Sequence, residues 1–159
     1  MAVRVGLGHD THRLEAGGPL RLGGIDIEFD WHLAGHSDAD VLLHAITDAL
    51  LGAANLGDIG QLFPDNAEEN RGRDSADMLA IAAKRVTEAG WCIGNLDCVV
   101  LAERPKLLNW KSSICKRIGE ILAIDPEQIS LKGKTGERTG DIGEGRVMQS
   151  MVVCLLERD

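Results

Sequence analysis

Residues 35–65 read GHSDADVLLHAITDALLGAANLGDIGQLFPD, and this stretch decides the fold. Ser37 with Asp40 three residues on is a helix-start pairing, Val41, Leu42, Ala45 and Ala49 recur at helical spacing, and Gly57 supplies a stop. A helix with an apolar stripe follows, and something must cover that stripe. On the N-terminal side, Val3 to Gly8 reads as a strand. Leu20 to Leu22 and Ile25 to Ile27 then flank Gly23 and Gly24 as a hairpin, the glycine pair permitting the positive φ angles of a tight turn. On the C-terminal side, Ser75 to Ala89 reads as a second helix, capped by Asp74, buried through Leu79, Ala82, Ala83 and Val86, and ended at Gly90. Residues 96–103 read as a strand, Ile114, Ile118, Ile121 and Leu122 mark a third helix, Ile129 to Lys132 is a strand, and Val147 to Leu156 is a long strand apolar on both faces. No internal repeat or Pro- or Ser-rich linker divides the chain. Residues 1–159 are therefore expected to form a single α+β domain, helices packed on one face of a mixed β-sheet.

Composition narrows the function. The 159 residues are 44% hydrophobic and 26% charged, enough to enclose one core. No apolar run approaches the ~20 residues that span a bilayer, and the start MAVRVGLGHD lacks an apolar signal-peptide core, so a cytoplasmic protein with no membrane partner is expected. Cys92, Cys98, Cys115 and Cys154 are irregularly spaced with no Cys-x-x-Cys pair, and read as buried small hydrophobes. Seventeen Lys and Arg against twenty-five Asp and Glu give a net charge of −8, which argues against nucleic acid as a partner. An anionic ligand has to be held by metals or by local cations.

Two phosphate-loop look-alikes fail. Gly6-Leu7-Gly8-His9-Asp10-Thr11 has Thr11 where a dinucleotide fingerprint needs its third glycine, and Gly133-Lys134-Thr135 has Gln128 where a P-loop needs its leading glycine. Asp10-Thr11-His12 is more informative. If the first strand runs through it, the two-residue period points Asp10 and His12 to one face. Asp40, His44 and Asp48 share a helix face, from which His44 could complete a set of three N/O ligands with one open position, the pattern of a catalytic zinc site. The same residues also fit an ordinary satisfied polar cluster. His36-Ser37, beside the helix start, suits a phosphate or simple capping, and Asp38-x-Asp40 suits the metal-nucleotide pair of a glycosyl- or nucleotidyltransferase as well as helix-dipole complementarity. Lys134 to Gly140 reads either as a loop admitting a diphosphate beside a carboxylate-held cation or as a polar glycine turn.

Taken together, Gly8-His9-Asp10-Thr11-His12, the whole 35–65 stretch, Asp74-Ser75, Arg104-Pro105-Lys106-Leu107-Leu108 and Lys132 to Gly145 resemble the 2-C-methyl-D-erythritol 2,4-cyclodiphosphate synthase family over nearly the whole chain. The resemblance implies a phosphorus–oxygen lyase of non-mevalonate isoprenoid biosynthesis that cyclises a cytidine-diphospho-methylerythritol 2-phosphate and releases CMP. It implies Asp10, His12 and His44 as ligands of one Zn²⁺ per chain and Glu137 as ligand of a second divalent cation, Mg²⁺ or Mn²⁺. His36 and Ser37 match the pair that holds the 2-phosphate, and Asp58, Ile59, Gly60 and Asp65 match the methylerythritol-binding stretch. Ala102, Lys106, Leu107 and Leu108 match the cytidine pocket, and Gly133, Lys134 and Thr135 the stretch around the CMP phosphate. His36, Ser37, Asp58, Asp65 and Thr135 are the implied catalytic residues. A homotrimer with active sites between subunits is also implied.

The chain departs from the family pattern in two places. A Ser/Thr-rich stretch usually precedes the second-metal glutamate, where Lys134-Thr135-Gly136 stands here. The following Gly-Phe-Thr-Gly-Arg-Gly-Glu-Gly is replaced, on a gapped alignment, by Gly140-Asp141-Ile142-Gly143-Glu144-Gly145, two residues shorter and lacking the aromatic and the arginine. The resemblance implies that in related trimers this segment borders an axial cavity for a prenyl diphosphate, so three symmetry-related Asp141 carboxylates and the loss of three guanidiniums are expected to leave such a ligand weakly bound or unbound. A metal-binding module that has lost catalysis would lack one of Asp10, His12, His44, Asp58 or Glu137, and all five are present.

Overall fold

A computed structural model describes residues 1–159. Its centre is a five-stranded sheet in the order β4-β1-β7-β5-β6, formed by β1 (Ala2–Ala16), β4 (Trp31–Ala34), β5 (Cys92–Leu101), β6 (Ile129–Lys134) and β7 (Val147–Arg158). Only the β5–β6 pair is parallel, so the sheet is mixed as expected. The hairpin is β2 (Leu20–Leu22) and β3 (Ile25–Ile27), with Gly23 at φ 62° and Gly24 at φ 76° in its turn. Strand β1 is far longer than the six residues its apolar alternation announced. It pairs with β7 from Ala2 to Arg13 and with β4 from Arg13 to Ala16, which carries it through Asp10 and His12.

Each central strand buries one face. Gly6, Gly8 and Leu14 of β1, Met148, Ser150, Val152, Cys154 and Leu156 of β7, and Leu96, Cys98 and Val100 of β5 are buried. Helices α1 (Val41–Ala54), α3 (Ser75–Glu88) and α4 (Lys111–Leu122) pack their apolar residues into that core, which the hairpin also enters through Leu20, Leu22 and Ile27, with two four-residue helices, α2 (Ile59–Leu62) and α5 (Gly140–Gly143), in the connections. Val3, Val5, Leu7, Met151 and Val153 stand on the other side, exposed. The alternation resolves the two-sided apolarity of the last strand: one side meets helices and the other is open in the single chain. No helix is long and apolar enough to cross a membrane.

Helix α1 corrects the first expectation. It is buried on nearly all sides, sandwiched between the sheet and α3, rather than along one stripe. Its N-cap is Asp40, not Ser37: the Asp40 carboxylate accepts Leu43 N at 3.1 Å together with Gly23 N at 2.9 Å and Gly24 N at 2.7 Å from the hairpin turn. It ends at Asn55 in the left-handed conformation, two residues before Gly57. The strand expected at 96–103 begins four residues earlier at Cys92 and stops at Leu101. Cys98 and Cys154 are buried as expected, but Cys92 is exposed and Cys115 half-buried.

Candidate active site

The site begins with two glycines. Gly6 and Gly8 face α1, and a β-carbon on either would overlap a backbone carbonyl oxygen, that of Ala49 for Gly6 and of Ala45 for Gly8. Their absent side chains let α1 lie directly on β1, which brings His44 against the next two residues on the same strand face, Asp10 and His12. Asp10 Oδ2 stands 2.9 Å from His12 Nε2 and 3.0 Å from His44 Nδ1. The two imidazole nitrogens are 3.1 Å apart. Tetrahedral ligands at ~2.0–2.1 Å from a zinc ion stand ~3.3 Å from one another, so the triangle is close to the size an ion requires. His12 Nδ1 lies 2.9 Å from Ala34 O, to which it donates as an N–H. Nε2 then carries the lone pair that faces the cluster.

Charge agrees with geometry. Burial opposes ionisation of Asp10, but hydrogen bonds and charge from His12 and His44 outweigh it and hold the carboxyl at about 2. Burial likewise opposes protonation of His12, and the Asp10 carboxylate overcomes it to raise the imidazole above its ordinary value. The other acids on the α1 face do not join. Asp40 is committed to its three backbone donors and burial pushes its pKa up. Asp48 accepts Ile59 N at 2.7 Å and is also raised by burial. The transferase pair Asp38-x-Asp40 is equally occupied, since Asp38 accepts Asp40 N at 3.1 Å, Ser75 N at 3.0 Å and the Ser75 hydroxyl.

A cavity of about 190 Å³ opens on the three donors and is lined also by His36, Ser37, Ile59, Gly60 and Asp65, with Phe63 and Met78 as apolar wall. His36 and Ser37 lie just before the helix start, between β4 and α1, with Asp40 as the N-cap. His36 Nε2 is buried and has no protein partner. Ser37 Oγ is 3.0 Å from His44 Nε2 and accepts Ala39 N at 3.3 Å. Asp58 does not line the cavity: it caps α2, its carboxylate accepting Gln61 N at 2.8 Å.

A second cavity, of about 210 Å³, gathers Ala102, Lys106, Leu107, Leu108, Gly133, Lys134 and Thr135, every residue of the two stretches that the resemblance matched to cytidine and to the CMP phosphate. Glu103 and Lys111 line it too and were not singled out by sequence, though both stand close to the Arg104–Leu108 motif. Glu103 accepts Gly136 N at 3.1 Å and so ties down the loop that carries Glu137, whose Oε1 accepts the Thr135 hydroxyl at 3.3 Å. Glu137 lines neither cavity. The two cavities share no residue, and β7 stands between the strand of Asp10 and His12 and the β5–β6 pair.

At the start of β7, a third cavity of about 480 Å³ is lined by Asp141 and Glu144. Arg146 lies beside it and pairs with both Asp141 and Glu144. Arg13 lines the same cavity, so two guanidiniums stand beside two carboxylates there.

The YgbB family matches residues 3–157. A 2-C-methyl-D-erythritol 2,4-cyclodiphosphate synthase of Rhodopirellula baltica is 51% identical over 158 residues, 99% of this chain and 95% of that protein. Among solved structures, an IspF of Plasmodium falciparum in a CDP complex aligns with a TM-score of 0.88 at 37% identity, covering 99% of this chain and 97% of that one. The bifunctional IspDF of Campylobacter jejuni aligns with a TM-score of 0.96 at 37% identity, where 99% of this chain corresponds to 43% of that longer one.

Proposed function

The chain belongs to the YgbB family, and from that premise we propose how its own residues carry out the family's reaction. The activity is that of a phosphorus–oxygen lyase of isoprenoid biosynthesis: 4-diphosphocytidyl-2-C-methyl-D-erythritol 2-phosphate becomes 2-C-methyl-D-erythritol 2,4-cyclodiphosphate and CMP. The 2-phosphate attacks the β-phosphorus in line with the departing CMP, although both groups are anionic. Neutralising and aligning them is the whole task.

Asp10, His12 and His44 hold a zinc ion, and Glu137 holds a second divalent cation, Mg²⁺ or Mn²⁺; when bound, these supply positive charge to the phosphoryl oxygens. The protein does the positioning. His36 Nε2, buried and unpartnered, donates to an oxygen of the 2-phosphate, and the Ser37 hydroxyl holds the same group. Asp65 with Ile59 and Gly60 cradles the methylerythritol; Asp58, which caps α2 immediately before Ile59 and Gly60, would have to turn from Gln61 N to meet its hydroxyls. Lys106 and Lys134 bring local cations to a chain of net charge −8, Ala102, Leu107 and Leu108 enclose the base, and Gly133 and Thr135 hold the departing phosphate.

The assembly we infer is a homotrimer with each active site between subunits. Two observations support it: the open sheet face carries Val3, Val5, Leu7, Met151 and Val153 exposed, and one chain's two half-sites share no residue. The single observation that carries the function is the convergence of Asp10, His12 and His44 at 2.9–3.1 Å on the cavity that holds His36 and Ser37. Phosphorus NMR of the purified protein with its substrate tests it. CMP with a cyclic diphosphate is the expected product; linear hydrolysis products alone would refute it.

A further inference from the structure

Asp38, which the sequence offered as one of a metal-nucleotide pair, and Ser75, the first residue of α3, meet behind His44 on the side away from the cavity's other donors. Ser75 is completely buried, and its Oγ stands 2.8 Å from His44 Nε2. The Ser75 hydroxyl donates to Asp38 Oδ1, and Ser75 N donates to Asp38 Oδ2 at 3.0 Å. Asp38 is held in turn by Asp40 N at 3.1 Å, with Arg21 Nε 3.8 Å away.

The direction of these bonds matters. An ionised carboxylate only accepts, so it takes the single hydrogen of the Ser75 hydroxyl and leaves that oxygen able only to accept from His44. Nε2 must then be the N–H of the ring, and Nδ1, the nitrogen 3.0 Å from Asp10 Oδ2 and 3.1 Å from His12 Nε2, keeps its lone pair for a metal. Ser37 Oγ also lies within 3.0 Å of Nε2, but it is half-buried and faces the cavity, whereas Ser75 is enclosed. We propose that Asp38 and Ser75 are positioning residues that fix the tautomer and ring orientation of His44 as a metal ligand and so leave the Ser37 hydroxyl free for substrate.

This rests on the zinc reading above, and the experiment separates the two. The zinc dissociation constant, measured by competition with a chromogenic chelator, should rise about 10–100-fold in Ser75→Ala and in Asp38→Asn. In Asp38→Asn the amide NH2 has to face one of the donors that the carboxylate accepts, Asp40 N and the Ser75 hydroxyl at Oδ1 or Ser75 N at Oδ2, which breaks the acceptor pair that orients Ser75. The visible bands of the cobalt-substituted protein should shift in both variants. A purely structural role, in which the pair merely pins α3 to the loop before α1, would lower thermal stability and leave the zinc constant and cobalt bands in place; that result in the folded variants overturns the proposal. If neither variant folds, the zinc-loaded parent labelled with ¹⁵N-histidine decides: a slowly exchanging His44 Nε2–H supports the relay and a freely exchanging one overturns it. A parent chain that binds no zinc overturns the metal reading itself.

Discussion

Gly8 of β1 and Ala45 of α1 touch backbone to backbone: a β-carbon on Gly8 would overlap the Ala45 carbonyl oxygen. Asp10 lies two residues beyond Gly8 on the same strand face, and His44 is the residue before Ala45, so this one contact sets the gap across which the three donors meet.

Gly8→Ala should therefore damage stability and metal binding together. Overpacking at a rigid strand–helix contact costs ~1–3 kcal/mol or more, which a denaturant titration will read as a lower midpoint. Zinc affinity should fall in the same variant because α1 has to move away from β1. Gly6→Ala, which meets Ala49 one helical turn further from His44, should lose stability with a smaller loss of zinc affinity. Equal zinc affinity in parent and Gly8→Ala would show that this contact does not set the ligand geometry.

The metal-free chain has a pH signature with a definite sign. His12 is raised above 6.5 by Asp10, so its contribution to stability is complete below pH 6.5 and is lost as pH rises through the folded value. Asp10 is lowered from 3.8 to about 2, so its contribution is present above 3.8 and is lost as pH falls towards 2. The pair thus supports the fold most between these limits. In Asp10→Asn the largest influences raising His12 are gone, leaving burial against the Ala34 carbonyl and the Asp40 charge, so its titration midpoint, followed by NMR, should drop below that of the parent. A midpoint that stays put would mean that Asp10 is not the cause of the shift.

Much of this architecture was legible in the chain, and the gaps have physical causes. The Asp10-Thr11-His12 alternation put Asp10 and His12 on one face because a strand has a strict period of two, and the α3 cap at Asp74 was readable because its bond to Ala76 N is local. The α1 cap was misplaced for the opposite reason: Asp40 wins through the Gly23 and Gly24 N–H groups, brought in from a distant hairpin, while Ser37 is drawn to His44. The glycine pair Gly6 and Gly8 was dismissed as a nucleotide loop, and its packing role emerges only once α1 is seen above it. Arg146 escaped notice because its pairing with Asp141 depends on the turn through α5.

The open sheet face should govern assembly. Leu7 is 64% exposed and Val5 66% exposed in the single chain. Leu7→Asp puts charge into the inferred interface and should convert trimers to monomers in sedimentation while zinc binding, built wholly within one chain, persists. Trimers of undiminished stability would place the interface elsewhere.

If sites form between subunits, inactive Asp10→Ala chains mixed with inactive Lys106→Ala chains should regain activity, since some interfaces then combine an intact metal side with an intact cytidine side. No recovery despite proven subunit exchange would mean that each site is built within one chain.

The most direct measurement is zinc content and cyclising activity determined on the same preparation of parent and His44→Ala protein, by metal analysis and by phosphorus NMR of the products. The account predicts one zinc per chain with CMP and cyclic diphosphate formed in the parent, and loss of both the metal and the cyclic product in His44→Ala, because Asp10 and His12 alone leave too few donors. A His44→Ala protein that keeps full zinc occupancy and forms the cyclic diphosphate at the parental rate would contradict it.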